Sequence, residues 1–280
     1  MITELRRSDL RLVAVWIRAG VRALLRTPRA AFFTFVFPAV LLVFVDGTAS
    51  GTVTGAGGRV EAAQYFTPSL AIFGLAFGCY TSLVFTIPRA RERGILKRVR
   101  GTPVPPSVYL ASLVAVGLLS GIASVVILVV LGVAAFGVHL YPGLLPAAVV
   151  TLVVGGVCLC TLGLAVSSFV ANPETAPVVA NITLLPLAFI SGVFVTVHGA
   201  PQWLSTLASI FPLRHLVDAF SATFSSHTSG SGFRPGDLAV LLAWTFAGAR
   251  VAVRRFRWEP AAQSGSARRN RQPHVSAAGR

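Results

Sequence analysis

PRARERGILKRVRGTPVPPSVY, residues 88–109, is the stretch whose reading decides the fold. Arg89, Arg91, Arg93, Lys97, Arg98 and Arg100 crowd it, and Glu92 is its only acid. Apolar runs flank it, residues 66–87 before and 110–138 after. Each exceeds the ~20 residues that a helix needs to cross a bilayer. Lys and Arg near span ends resist translocation, so a basic loop between two such runs stays on the cytoplasmic side. The stretch therefore reads as a cytosolic loop tethered by two spans, with another protein as its expected contact.

The loop has internal structure. Residues 89–100 contain no Pro and only Gly94, which allows about three helical turns. Ile95 and Val99, four apart, give that helix a small apolar face. Thr102-Pro103 stops it, and Pro105-Pro106 stiffens the chain before Tyr109 meets the interface. A solvated basic loop would satisfy the topology rule on charge alone. A short helix with an apolar face, pinned by prolines, is more than that rule requires.

Composition points the same way. The chain has 280 residues, 54% hydrophobic and only 12% charged, with a mean hydropathy of +0.75. A soluble domain carries roughly 25% charged residues, so this is a polytopic membrane protein. The net charge of +15 raises a nucleic-acid reading, which fails because the positive charge is spread over three segments. Cys79, Cys158 and Cys160 all fall inside apolar runs and read as small buried residues, with no disulfide or metal role.

In chain order, residues 1–29 lack the charged start and directly following apolar core of a signal peptide. They read as a cytosolic, interfacial amphipathic helix. Arg7, Arg11, Arg18, Arg22 and Arg26 share one face, and Leu10, Val13, Ile17, Val21 and Leu24 another. A transmembrane domain follows over residues 30–259. Its first span, 30–46, is rich in Phe and interrupted by Pro38, and Asp46 opens a polar, Gly-rich outer loop up to Tyr65. Further spans are expected at 66–87, 110–138, 144–170, 178–194 and 238–253. A tight outer turn, His139–Gly143, joins the third to the fourth, and a short inner turn, 171–177, joins the fourth to the fifth. Residues 195–237 are too long for a turn, and 202–210 and 213–224 within them still read as helical. Residues 260–280 form a polar basic tail, expected to be disordered in the cytosol. Seven arginines precede the first span, six basic residues lie in the central loop and eight follow from Arg250. That puts 21 of 24 Lys+Arg inside and leaves only Arg59, Arg214 and Arg234 outside. Six spans with both termini cytoplasmic follow from that split.

Several chemistries are excluded. The single lysine follows Leu96, so there is no G-x-x-x-x-G-K-[ST] and no ATPase site. Neither H-E-x-x-H nor G-x-S-x-G occurs. The expected spans hold almost no ionisable residue besides Arg250 at one end. This counts against an ATP-independent ion-coupled carrier or channel, which remains the alternative reading. No constellation of acid, base and nucleophile supports a membrane transferase. Phe66, Phe73, Phe77 and Tyr80 stack on one side of the second span, a face suited to packing or lipid contact. Gly74/Gly78 and Gly117/Gly121 form GxxxG pairs whose first meaning is close helix packing.

The order Glu92, Gly94, Leu96, Arg98, Thr102-Pro103, Pro106, Tyr109-Leu110 resembles the cytosolic loop of the ABC-2 type transporter permeases, which include daunorubicin-resistance exporter subunits. A second match runs Phe189-Ile190-Ser191-Gly192-Val193-Phe194, then Pro201, Trp203-Leu204, Pro212-Leu213 and Asp218; a third is Phe256-Arg257-Trp258-Glu259. Together they cover most of residues 18–259. The resemblance implies an all-α integral membrane fold of six transmembrane helices, with an N-terminal amphipathic interfacial helix and short re-entrant helices before the last span. It implies that the basic loop is the coupling helix, with Arg91, Glu92, Arg93, Gly94, Leu96, Arg98, Thr102 and Pro103 serving an ATP-binding partner subunit. It further implies that Phe73, Phe77, Tyr80, Asn181, Phe189, Ser191 and Gly192 line a pathway or dimer interface. This chain would bind no cofactor, with ATP and Mg held by the partner subunit, and would pair with a second copy or a related permease in the cell membrane. The function implied is export of an amphipathic small molecule, antibiotic- or drug-like, or of a lipid-linked one.

The charge split makes a direct prediction. Single cysteines at positions 59 and 229, in a background lacking Cys79, Cys158 and Cys160, are expected to react with an impermeant thiol reagent on intact cells. Cysteines at 8, 98 and 264 are expected to stay unlabelled until the membrane is opened.

Overall fold

A backbone crossing a bilayer must satisfy its own hydrogen bonds, so apolar runs of this length fold as helices. The computed structural model describes residues 7–48, 51–55, 58–102, 106–194, 202–225, 228 and 230–256. Its elements in chain order are α1 (Arg7–Leu25), α2 (Phe32–Thr48), a β1–β2 hairpin (Thr52–Gly55, Gly58–Glu61) and α3 (Ala62–Glu92). Then come α4 (Ile95–Arg100), α5 (Pro106–Phe136), α6 (Leu145–Ser167), α7 (Ala176–Ile190), α8 (Gln202–Ala208), α9 (Pro212–Ala222) and α10 (Pro235–Arg255). Among the described residues, four helices, α3, α5, α6 and α10, are long and apolar enough to cross a membrane; α2 and α7 are shorter apolar helices.

Hydropathy located these helices, but their ends differ. The second extends to Glu92, five residues past the expected end at 87, running on through Pro88 although that proline offers no N–H to the Val84 carbonyl. The expected outer loop contains the hairpin, paired Thr52 to Glu61 and Val53 to Val60. The helix expected as the fifth span, α7, ends at Ile190, with Ser191–Phe194 turning away. Residues 1–6, 103–105, 195–201 and 257–280, and with them Pro103 and the expected basic tail, lie outside the described residues.

Asp46 is a correction. It does not open a loop; it lies in the last turn of α2, buried, and its Oδ2 accepts a hydrogen bond from Thr67 Oγ1 at 2.9 Å. A carboxylate looks like a span end in the sequence, whereas here it is buried with one oxygen held by a hydroxyl on α3 and its Oδ1 without a partner among the described residues. Pro38 likewise does not interrupt its span. Five residues immediately before it, Phe32–Val36, form a π-helical segment. Pro38 has no N–H to offer the Thr34 carbonyl, and that carbonyl accepts from Ser124 Oγ of α5 at 2.8 Å instead.

The core is α3. Every residue from Phe66 to Thr81 is buried, among them Phe66, Phe73, Phe77 and Tyr80. The aromatic face therefore packs inside the bundle and does not face lipid. α3 carries a second π segment, Phe77–Thr81. There the Gly78 carbonyl accepts from Ser82 Oγ and, at 3.5 Å, from Ser120 Oγ of α5. A Cβ on Gly78 would overlap the backbone of Gly121, and one on Gly163 of α6 would meet the Tyr80 carbonyl at 2.8 Å. Gly78, Gly117 and Gly121 thus let the backbones of α3 and α5 meet directly, whereas Gly74 makes room for the Ser124 and Leu128 side chains. All three cysteines are free and buried nearby; Cys79 Sγ lies 3.5 Å from the Gly117 carbonyl.

The hairpin end of the bundle is tied by Gln64, which donates to the carbonyls of His139 (3.0 Å) and Phe224 (2.7 Å) and accepts from the His139 amide (2.9 Å). A polar cluster joins α9 to the start of α10. Arg214 pairs with Asp218 at 2.6 Å, His215 with Asp237 at 2.7 Å and Arg234 with Asp237 at 3.2 Å. Burial raises the Asp218 carboxyl above its ordinary range, and Arg214 opposes that shift.

Gly78→Val is therefore expected to destabilise the protein by about 1–3 kcal/mol through overpacking. Gly143, where a Cβ meets nothing within 4 Å, is expected to accept Ala without effect. Thermal midpoints of the two purified variants in detergent check the contrast.

Candidate functional site

The site begins where α3 ends. Arg93 leaves helical geometry, and Gly94 adopts φ +66°, a left-handed conformation that side chains rarely take. The amides of Arg93 and Gly94 still bond back to Arg89 and Arg91. The chain then restarts as α4, with Arg98 N–H bonding to the Gly94 carbonyl at 3.0 Å. The expected three-turn helix over 89–100 is therefore two helices meeting at a corner. Helical propensity alone tolerates one glycine, and the left-handed turn overrides it. The Thr102 hydroxyl closes α4 by donating to the Val99 carbonyl at 2.7 Å.

The corner separates two kinds of side chain. Leu96 and Val99 are buried with Ala90 and Tyr109, and Trp16, Ile95, Leu110, Leu113 and Phe256 pack around them. Trp16 of α1 meets Tyr109 of α5 edge to face, with ring centroids 5.4 Å apart. The apolar face of α4 is thus rooted in α1, in the start of α5 and in the end of α10. Leu96, assigned by resemblance to the partner-facing loop, has 0% exposure and belongs to this root. Ile95, expected on the buried face, is only half-buried, because the restart at Gly94 rotates the face toward Leu96 and Val99.

Glu92, Arg93, Lys97 and Arg98 are exposed. Glu92 has no hydrogen bond or ion pair to a described residue. Arg98 Nη2 donates to the Arg93 carbonyl at 3.0 Å, which holds the two strokes of the corner together. A Cβ at Gly94 would meet nothing within 4 Å. The glycine is required by backbone conformation, not by a crowded neighbour in this chain. Arg91 departs from the expectation of a partner contact: it is 4% exposed and donates to the Val170 carbonyl.

The residues expected along a pathway or dimer interface come together only in part. Phe73 and Phe77 touch, centroids 5.0 Å apart, and Phe194 bridges Phe73 (4.9 Å) to Phe189 (5.0 Å). Tyr80 shares a 2.5 Å hydrogen bond with Thr183 of α7. Ser191 is fully buried with no partner for its Oγ among the described residues, and Gly192 turns the chain at φ +84°. Asn181 is exposed on α7 and shares no ring contact or hydrogen bond with this aromatic chain among the described residues. α7 buries only Ala176, Ala180, Leu184 and Ala188 and exposes Val178, Ile182 and Phe189.

Sequence reasoning missed Trp16 altogether, and it quoted Tyr109 and Phe256 in separate motifs without bringing them together under α4.

Long apolar helices joined by a rooted basic corner, with no nucleotide-binding loop in the sequence, define a membrane-embedded protein. The family model of ABC-2 type transporters matches residues 11–225, and the chain belongs to that family. It is thus the permease component of an ABC transporter, a transport subunit lacking the ATPase site. No curated protein matches the chain.

Proposed function

We propose that the chain is the membrane subunit of an exporter driven by ATP hydrolysis on a separate subunit, which docks on the exposed side of the α3–α4 corner. One observation carries this reading: α4 is rooted on its apolar side and left free on its charged side. A topology signal needs only charge, and has no use for a buried apolar face. In this reading α2, α3, α5, α6, α7 and α10 all cross the bilayer, α1 lies at the cytoplasmic interface, and α8 and α9 dip into the outer leaflet. Two copies, or this chain and a related permease, pair in the cell membrane with their termini in the cytoplasm. ATP binding by the partner moves the corner and shifts the spans between inward and outward openings. The substrate is an amphipathic small molecule, drug-like or lipid-linked. The buried Asp46 gives the ion-coupled alternative one intramembrane carboxylate, but membership of the ABC-2 family favours ATP.

The test is copurification. The wild-type chain is expected to bring down an ATP-binding subunit and to show no ATP turnover without it. Charge reversal at Lys97 and Arg98, and separately Glu92→Ala, are expected to lower that yield several-fold at matched membrane levels. Gly94→Ala is expected to act through the backbone alone, at roughly 1 kcal/mol for the left-handed conformation. Undiminished copurification in the charge-reversed chain would leave the docking assignment without support.

A further inference from the structure

Arg91 lies one residue before the end of α3, in the middle of a basic stretch, yet it is buried. Its guanidinium donates to the carbonyl of Val170, 79 residues away. Val170 stands just beyond α6, whose last turn closes with the Ser168 and Phe169 amides bonded to Ala165 and Val166. A helix C-terminus carries unsatisfied carbonyls and a partial negative charge, and a buried cation there is stabilised by both. At the same turn, Arg255 of α10 places its guanidinium 5.9 Å from the centre of the exposed Phe169 ring. The turn leads, through a bend at Asn172–Thr175, straight into α7. The α6–α7 turn is thus held from α3 by Arg91 and from α10 by Arg255.

We propose that Arg91 is a positioning residue for coupling. It acts as an internal strut that carries movement of the α3–α4 corner into the α6–α7 turn and so into α7, without touching the partner subunit. This rests on the reading of the corner as the docking site. Lys97 and Arg98 would receive the push, and Arg91, a few residues back along the same backbone, would hand it on. A guanidinium suits that role because it donates in fixed directions and keeps its charge when buried. Removing it leaves a carbonyl at a helix end without its donor.

The experiment uses the complex of the full chain with its ATP-binding subunit. A cysteine replaces Val178, exposed on the first turn of α7, in a chain without Cys79, Cys158 and Cys160, and carries a bimane fluorophore. The probe added is ATP with vanadate. With Arg91 present, nucleotide is expected to shift the emission. Arg91→Leu is expected to keep copurification with the subunit and to reduce the shift at least about fivefold, the lower range of allosteric coupling. Arg91→Lys, which restores one donor and the charge, is expected to recover part of it. If Arg91→Leu fails to accumulate, Arg91→Lys decides alone, and a shift equal to that of Arg91 would overturn the strut. Loss of copurification in Arg91→Leu would also overturn it, by making Arg91 a docking residue, as would an undiminished shift. Failure of the Arg91 chain itself to bring down an ATP-binding subunit would instead overturn the docking assignment, and the strut with it.

Discussion

At Gly78 the backbone of α3 lies directly on the backbone of α5, with no side chain between them. In a bilayer the hydrophobic effect does not drive helices together, so such contacts and the hydrogen bonds they permit do that work. The π segment over Phe77–Thr81 turns carbonyls out of the regular ladder, and the Gly78 carbonyl finds Ser82 and Ser120. Gly163 brings α6 to the same place from the other side, against Tyr80. α3 is consequently the post around which the other helices stand. Of its buried aromatic residues, Phe73 reaches α7 through Phe194 and Phe189, and Tyr80 bonds to Thr183 of α7.

A fixed post gives its protruding end a mechanical meaning. α3 leaves the bundle at Glu92, turns at Gly94 and returns as α4, whose Leu96 and Val99 lie against Trp16, Tyr109 and Phe256. Lys97 and Arg98 thus stand on a short helix whose opposite face is buried, and the residues around that face come from α1, the start of α5 and the end of α10.

Much of this was legible in the sequence. The apolar runs gave the helices, and the basic stretch between two of them marked the corner where α3 ends and α4 begins. The glycine pairs were read as packing, and the contact at Gly78 and Gly121 bears that out. Four particulars were not legible, each for its own reason. Gly94 looked like a tolerated glycine in a helix, since left-handed backbone leaves no mark in a single sequence. Asp46 looked like a loop residue because its partner, Thr67, lies on another helix. Arg91 was indistinguishable from Arg89 and Arg93 in a charged run, and only the fold brings Val170 to it. The shared cluster of Trp16, Tyr109 and Phe256 draws on three segments spread over the whole chain, beyond the reach of periodicity.

The central claim is that the exposed side of α4 is covered by an ATP-binding subunit while its other side is not. The most direct measurement is the rate at which a single cysteine at position 97, in the chain lacking its own three, reacts with a soluble maleimide in opened membranes. The reaction is expected to slow several-fold when the ATP-binding subunit is co-expressed and to recover when that subunit is stripped away. An unchanged rate with and without the subunit would contradict the account.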